Sequence, residues 1–160
     1  MTTANWITLD DALGVLAMSL ESMGFVSLAP VDGVPPPPGD DAVAVRLAFD
    51  GTARGELVIV APRAFGRLLA GNVGTAHAGA TDAEAEDAIG EVANVVCGRL
   101  LRDVGGGKFR LGLPRATPIL ADDGWGPLTV RSGDPTSVGS TIVDAEGYPV
   151  GLGLALGVQA

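Results

Sequence analysis

The chain holds one cysteine, one histidine and one lysine among its 160 residues, and only 4% of its side chains are aromatic. A lone Cys97 excludes an intramolecular disulfide, and with His77 as the single histidine no Cys/His cluster exists to hold zinc. Basic side chains are scarce as well, 10 Lys and Arg against 19 Asp and Glu, for a net charge of −9. Such a chain is ill suited to wrapping nucleic acid or lying on anionic lipid, because both need neutralising cations. Long apolar runs are also missing. Mean hydropathy is positive at +0.36, yet no stretch approaches the ~18 consecutive apolar residues that a membrane-spanning helix requires. The stretch 1–14 has no basic region and reaches Asp10 before any apolar run, so it does not read as a secretory signal. These absences predict a soluble, cytoplasmic chain folded as one domain over residues 1–160.

What is abundant is punctuation. The 24 glycines and 11 prolines make up about a fifth of the chain, against roughly an eighth in average usage, and they separate periodic apolar segments. Thr8 with Asp11 caps a first helix whose apolar positions Leu9, Leu13, Leu16 and Leu20 recur at helical spacing up to Gly24. After an extended Pro35–Pro38 spacer, Val43, Val45, Leu47 and Phe49 share one face of a strand. A turn at 50–52 leads into a second strand, Gly55 to Ala61, and Pro62 opens a short helix from Arg63 to Ala70 that Gly71 closes. A small-residue loop spans 72–80. The longest helix is predicted from Asp82 to Val104, with Thr81 and Glu84 as a capping box and Gly105 as its stop. Strands follow at 108–113, 128–131, 141–143 and 150–158, with a turn at Glu146-Gly147. The order predicts an α+β fold: a mainly antiparallel sheet with two longer helices and one short helix.

The last of these strands is patterned unusually. Val150, Leu152, Leu154, Leu156 and Val158 point one way, and Gly151, Gly153, Ala155 and Gly157 the other. Its small face suits either a helix backbone packed closely upon it or an edge that pairs with a second chain.

The long helix breaks local rules on one stripe. Ile89, Val92, Ala93, Val96 and Leu100 form its core face, while Glu84, Asp87, Glu91, Asn94, Gly98 and Arg102 fall on the opposite side. Capping explains Glu84, and the negative helix end suits Arg102. Asp87 and Glu91 are a like-charged i,i+4 pair, Gly98 costs roughly 1 kcal/mol relative to Ala, and Asn94 is a mediocre mid-helix residue. Such breaches clustered on a solvent-facing stripe mark a functional surface.

Asp87 to Leu100 reads D-x-x-x-E-x-x-N-x-x-x-G over its first twelve positions. With this motif and the element order of nearly the whole chain, the sequence resembles the CheC/CheX/FliY family of chemotaxis phosphatases, most closely the CheX branch. The resemblance implies removal of the phosphoryl group from the aspartate of a CheY-like response-regulator receiver. Glu91 would dock by pairing with the receiver's active-site lysine, and Asn94 would orient the attacking water. Asp87, Gly98 and Arg102 would belong to the docking surface. Mg²⁺ would come from the receiver, with no cofactor or metal of the chain's own. The first helix has Gly24 where a second motif needs Asn, which leaves a single site. The resemblance also implies a homodimer, for which the strand at 150–158 is the candidate edge. The competing reading is a non-catalytic interaction or dimerisation module, similar to the middle domain of flagellar switch proteins.

Other candidates carry less. Cys97 projects toward the flank of the core face with no adjacent histidine, as an inert buried thiol would. His77 has no partner at helical spacing. Gly105-Gly106-Gly107 follows a helix and lacks the G-K-[ST] ending of a phosphate loop. Arg99, Arg102, Lys108, Arg110 and Arg115 form a basic stretch that either meets acidic groups of a receiver or neutralises the acids of the long helix. Trp6 and Trp125 read as packing residues.

Overall fold

A computed structural model describes residues 7–24, 26–31, 33–51, 54–72, 80–105, 108–120, 122–128 and 137–157. Three helices, α1 (Leu9–Gly24), α2 (Arg63–Asn72) and α3 (Asp82–Leu100), combine with seven strands. The strands are β1 (Leu28–Pro30), β2 (Ala42–Gly51), β3 (Arg54–Pro62), β4 (Phe109–Leu111), β5 (Arg115–Pro118), β6 (Ser137–Ala145) and β7 (Tyr148–Gly157). They form one sheet in the order β1-β6-β7-β3-β2-β4, with β5 also on β2, and every pairing is antiparallel. This is the α+β architecture the sequence predicts.

Alternation along the strands builds the core. Val43, Val45, Leu47 and Phe49 of β2, Leu57 and Ile59 of β3, and Val150, Leu152, Leu154 and Leu156 of β7 cover one face of the sheet. Against it pack Leu16 and Leu20 of α1, Phe65 and Leu69 of α2, and Ile89, Val92, Val96 and Leu100 of α3. Both predicted caps form. Thr8 and Asp11 exchange backbone-to-side-chain hydrogen bonds of 3.0 Å each, and Thr81 and Glu84 do so at 3.0 and 3.1 Å. A smaller apolar cluster of Ala44, Val58, Val60, Ile119 and Leu128 lines the other face, with Trp125 packed against it and its indole N–H donating to the Pro36 carbonyl at 2.9 Å.

Four expectations change. The strand at 150–158 is no edge: β7 runs between β3 and β6, hydrogen-bonded on both sides. Its backbone therefore has no free ladder to offer a second copy. Nor, among the described residues, does an α-helix lie on its small face. A Cβ on Gly151 would fall 2.6 Å from Leu128 Cδ1 and 3.0 Å from Trp125 Cζ3, so the glycines make room for the 3₁₀ turn Gly126–Leu128. That turn replaces the start of the strand expected at 128–131, whose remainder lies outside the described residues, as do His77, Trp6 and most of the loop at 72–80. Finally, α3 stops being α-helical at Leu100 and continues as a π-helical turn, Leu101–Gly105. No helix among the described residues is long and apolar enough to cross a membrane.

Candidate functional site

The acids of α3 divide into those that are engaged and those that are not. Glu84 closes the capping box, where the Thr81 backbone N–H and then its hydroxyl hold the carboxyl below its ordinary pKa. Glu86 accepts from Arg63 Nε at 2.9 Å, and Asp82 from Arg67 Nη2 at 2.6 Å. These pairs tie the first turns of α3 to α2, with Asp41 accepting from Arg63 Nη1 at 2.7 Å. Asp87, Glu91 and Asn94 are exposed, and among the described residues none of their side chains makes a hydrogen bond or ion pair. A carboxylate and a carboxamide three residues apart are thus free for something outside the chain.

The wall opposite them is built by an irregularity. Leu111 pairs with Phe49 and Arg115 with Arg46, so Leu47 and Ala48 of β2 face Gly112, Leu113 and Pro114, and the edge ribbon bulges. The Gly112 N–H stays tied to the Ala48 carbonyl at 2.7 Å. Pro114 rests on α3 at Gly90, where an added Cβ would lie 3.3 Å from Pro114 Cβ. A groove of about 420 Å³ results, lined by Glu86, Asp87, Gly90, Glu91 and Asn94 of α3 and by Val45, Leu113, Pro114 and Ala116 of the sheet edge. Sequence reasoning missed the second wall. Its only local signal is the leucine between Gly112 and Pro114, which no periodicity connects to α3.

The structure brings Asp87, Glu91 and Asn94 together in this groove and leaves Gly98 and Arg102 out of its lining. Gly98 lies one turn beyond Asn94 with nothing within 4 Å of a Cβ built there, so no packing inside the chain requires glycine. Arg102 belongs to the π-helical turn and pairs with neighbouring Asp103 at 3.4 Å. The wider turn ends the α-helical register that the stripe assumed. None of Arg99, Arg102, Lys108, Arg110 and Arg115 lines the groove. Cys97 is buried on the core side, and desolvation pushes its thiol up to about 12, so it remains protonated and inert at neutral pH. A larger hollow of about 1150 Å³ lies on the other side of the sheet, where Arg46 pairs with Glu56 at 2.9 Å and Arg110 with Asp50 at 3.3 Å, while Arg54 and Asp123 also line it. The narrower groove is the one that sets an unpaired carboxylate and carboxamide, Glu91 and Asn94, side by side on one helix.

Comparison with known proteins bears on the sequence and the fold. Residues 43–118, which include α3 and both walls of the groove, match the family model described as chemotaxis phosphatase CheX. In fold, the chain is similar to the chemotaxis protein CheX from Vibrio vulnificus, with a TM-score of 0.71 at 19% identity over 98% of this chain and 99% of that one. It is similar to CheX in the CheX–CheY–BeF3–Mg²⁺ complex from Borrelia burgdorferi, with a TM-score of 0.62 at 16% identity over 93% and 97% of the two chains. Thermotoga maritima FliY also matches, with a TM-score of 0.55 at 16% identity over 95% and 91%. A sequence search of curated proteins returned no match.

Proposed function

From a chain that is CheX-like in sequence over residues 43–118 and in fold over nearly its whole length, we propose a phosphatase acting on the aspartyl phosphate of a CheY-like receiver domain. The observation that carries the reading is the pair Glu91 and Asn94, exposed, unpartnered and side by side in a groove on α3. Glu91 docks by pairing with the receiver's lysine, Asp87 stands at the rim, and Gly98 lets the receiver's backbone come close.

The chemistry asks little of the helper. An aspartyl phosphate is an acyl phosphate, and the receiver supplies its own Mg²⁺ and lysine, so neither a nucleophile nor a strong base is required. Water attacks phosphorus in line, the bond between phosphorus and the aspartyl oxygen breaks, the carboxylate is regenerated, and inorganic phosphate carries away the water's oxygen. Asn94 contributes position. Its carbonyl oxygen accepts from the attacking water while its NH₂ donates to a phosphoryl oxygen, a combination that a carboxylate lacks. A homodimer, if it forms, uses a surface other than the β7 ladder.

The test is to mix the protein with phosphorylated CheY and Mg²⁺ and follow loss of the phosphoryl group. Accelerated loss is expected; binding without acceleration makes the chain an interaction module instead. Glu91→Ala is expected to weaken binding of CheY carrying beryllofluoride by about tenfold, the loss of a desolvated ion pair, while the melting temperature moves by less than ~2 °C, as for other exposed substitutions. A steep fall in melting temperature would mean that Glu91 serves the fold.

A further inference from the structure

The groove beside Glu91 and Asn94 holds a large apolar side chain in water. Leu113 is 83% exposed, yet it is not on a free loop. Gly112 before it is hydrogen-bonded to Ala48, and Pro114 after it both restricts its backbone to extended conformations and seats against Gly90. Gly90 is buried in the middle of α3, where glycine costs roughly 1 kcal/mol relative to Ala. The chain accepts that cost at the position that lets Pro114 approach. Among the described residues, the other widely exposed large apolar side chains, Met18, Val34 and Leu120, do not line the groove.

Charge narrows what can cover this leucine. Of the carboxylates lining the groove, Glu86 is paired with Arg63 while Asp87 and Glu91 are unpaired, and no basic side chain is in the lining. An anionic phosphoryl group approaching alone would be repelled, so attraction must come from the protein surface around it. That surface has to present a cation to Glu91 and apolar area to Leu113.

We propose that Leu113 is the apolar anchor of the docking surface, buried on complex formation by the receiver's apolar surface next to its phosphorylated aspartate and lysine. The assignment rests on the phosphatase reading and adds a second determinant of receiver choice. Leu113 sets affinity through area removed from water, on a rigid bulge that loses little freedom on binding. Asn94 acts on the reacting atoms and Leu113 does not, so the two separate kinetically.

The experiment compares wild type, Leu113→Ala, Leu113→Met and Asn94→Ala, using calorimetric titration with CheY carrying beryllofluoride and Mg²⁺ and steady-state turnover of CheY phosphorylated by acetyl phosphate. Leu113→Ala should raise both Kd and KM about tenfold, the effect of burying roughly two of the three methylene equivalents that it removes, with kcat at saturation unchanged. Leu113→Met should restore both. An unchanged KM in Leu113→Ala, with turnover lost in Asn94→Ala, overturns the role of Leu113 and leaves the phosphatase reading standing. If Leu113→Ala alters the sedimentation coefficient and not KM, a second copy covers the leucine and the proposal falls. No turnover by wild type overturns both readings.

Discussion

Asn94→Ala is expected to lower the rate of receiver dephosphorylation at saturation by about 100-fold while leaving the affinity for the beryllofluoride form of CheY within about twofold. The size follows from the role: a group that only positions water supplies orientation, and misplacement by about an ångström can cost two powers of ten. Affinity survives because Glu91, Asp87 and Leu113 line the groove independently of Asn94. Folding survives as well, since Asn94 is exposed and no internal hydrogen bond is lost with it. Asn94→Asp sharpens the test. It preserves size but places a negative charge against the phosphoryl oxygens, so it should be as slow as Asn94→Ala and also bind more weakly. A rate unchanged in Asn94→Ala would remove the carboxamide from the mechanism.

Local chemistry made much of this readable before any coordinates. Thr8/Asp11 and Thr81/Glu84 announce helix starts because a cap and its reciprocal acid lie three residues apart. The alternation from Val43 to Phe49 announces β2, and the stripe on α3 brings Asp87, Glu91 and Asn94 into view at helical spacing. The remainder depends on distant pairing. β7 became an interior strand because β3 adds to it from nearly a hundred residues away, and no pattern within residues 150–158 encodes that neighbour. The short strands β1 and β5 each end in proline and carry little alternation, so neither has a periodic signal. The apolar wall of the groove requires both the register of β5 on β2 and the crossing of α3, two non-local facts meeting at Pro114 and Gly90. The π-helical turn at Leu101–Gly105, which carries Arg102, has no signal in a wheel drawn at a constant angle per residue.

Two glycines should respond in opposite ways to the same substitution. Helix propensity alone predicts that Gly→Ala stabilises by about 1 kcal/mol inside a helix. Gly98→Ala should show that gain, raising the melting temperature by ~2–4 °C for a chain of this size, because a Cβ there meets nothing within 4 Å. Gly66 lies in α2 where it crosses α3. A Cβ at that point falls on the carbonyl oxygen of Ala85, 2.8 Å from its carbon and 3.0 Å from its Cα. Ala85 is fully buried, and backbone cannot swing aside as a long side chain would, so α3 has to move. Overpacking of this kind costs roughly 1–3 kcal/mol and exceeds the propensity gain. Gly66→Ala is therefore expected to lower stability by about 1 kcal/mol net, or ~2–4 °C in melting temperature. The same shift of α3 would move Glu91 and Asn94 relative to Pro114, so receiver turnover should fall along with stability. Gly98→Ala separates those two readouts. It should melt higher than wild type yet bind the receiver more weakly, because its methyl group occupies the space through which the partner's backbone approaches. Equal stabilisation by both substitutions would refute the close crossing of α2 and α3. A Gly98→Ala protein that is more stable and binds as well as wild type would take Gly98 out of the docking surface, leaving the groove formed by α3 and the bulge as the whole of the site.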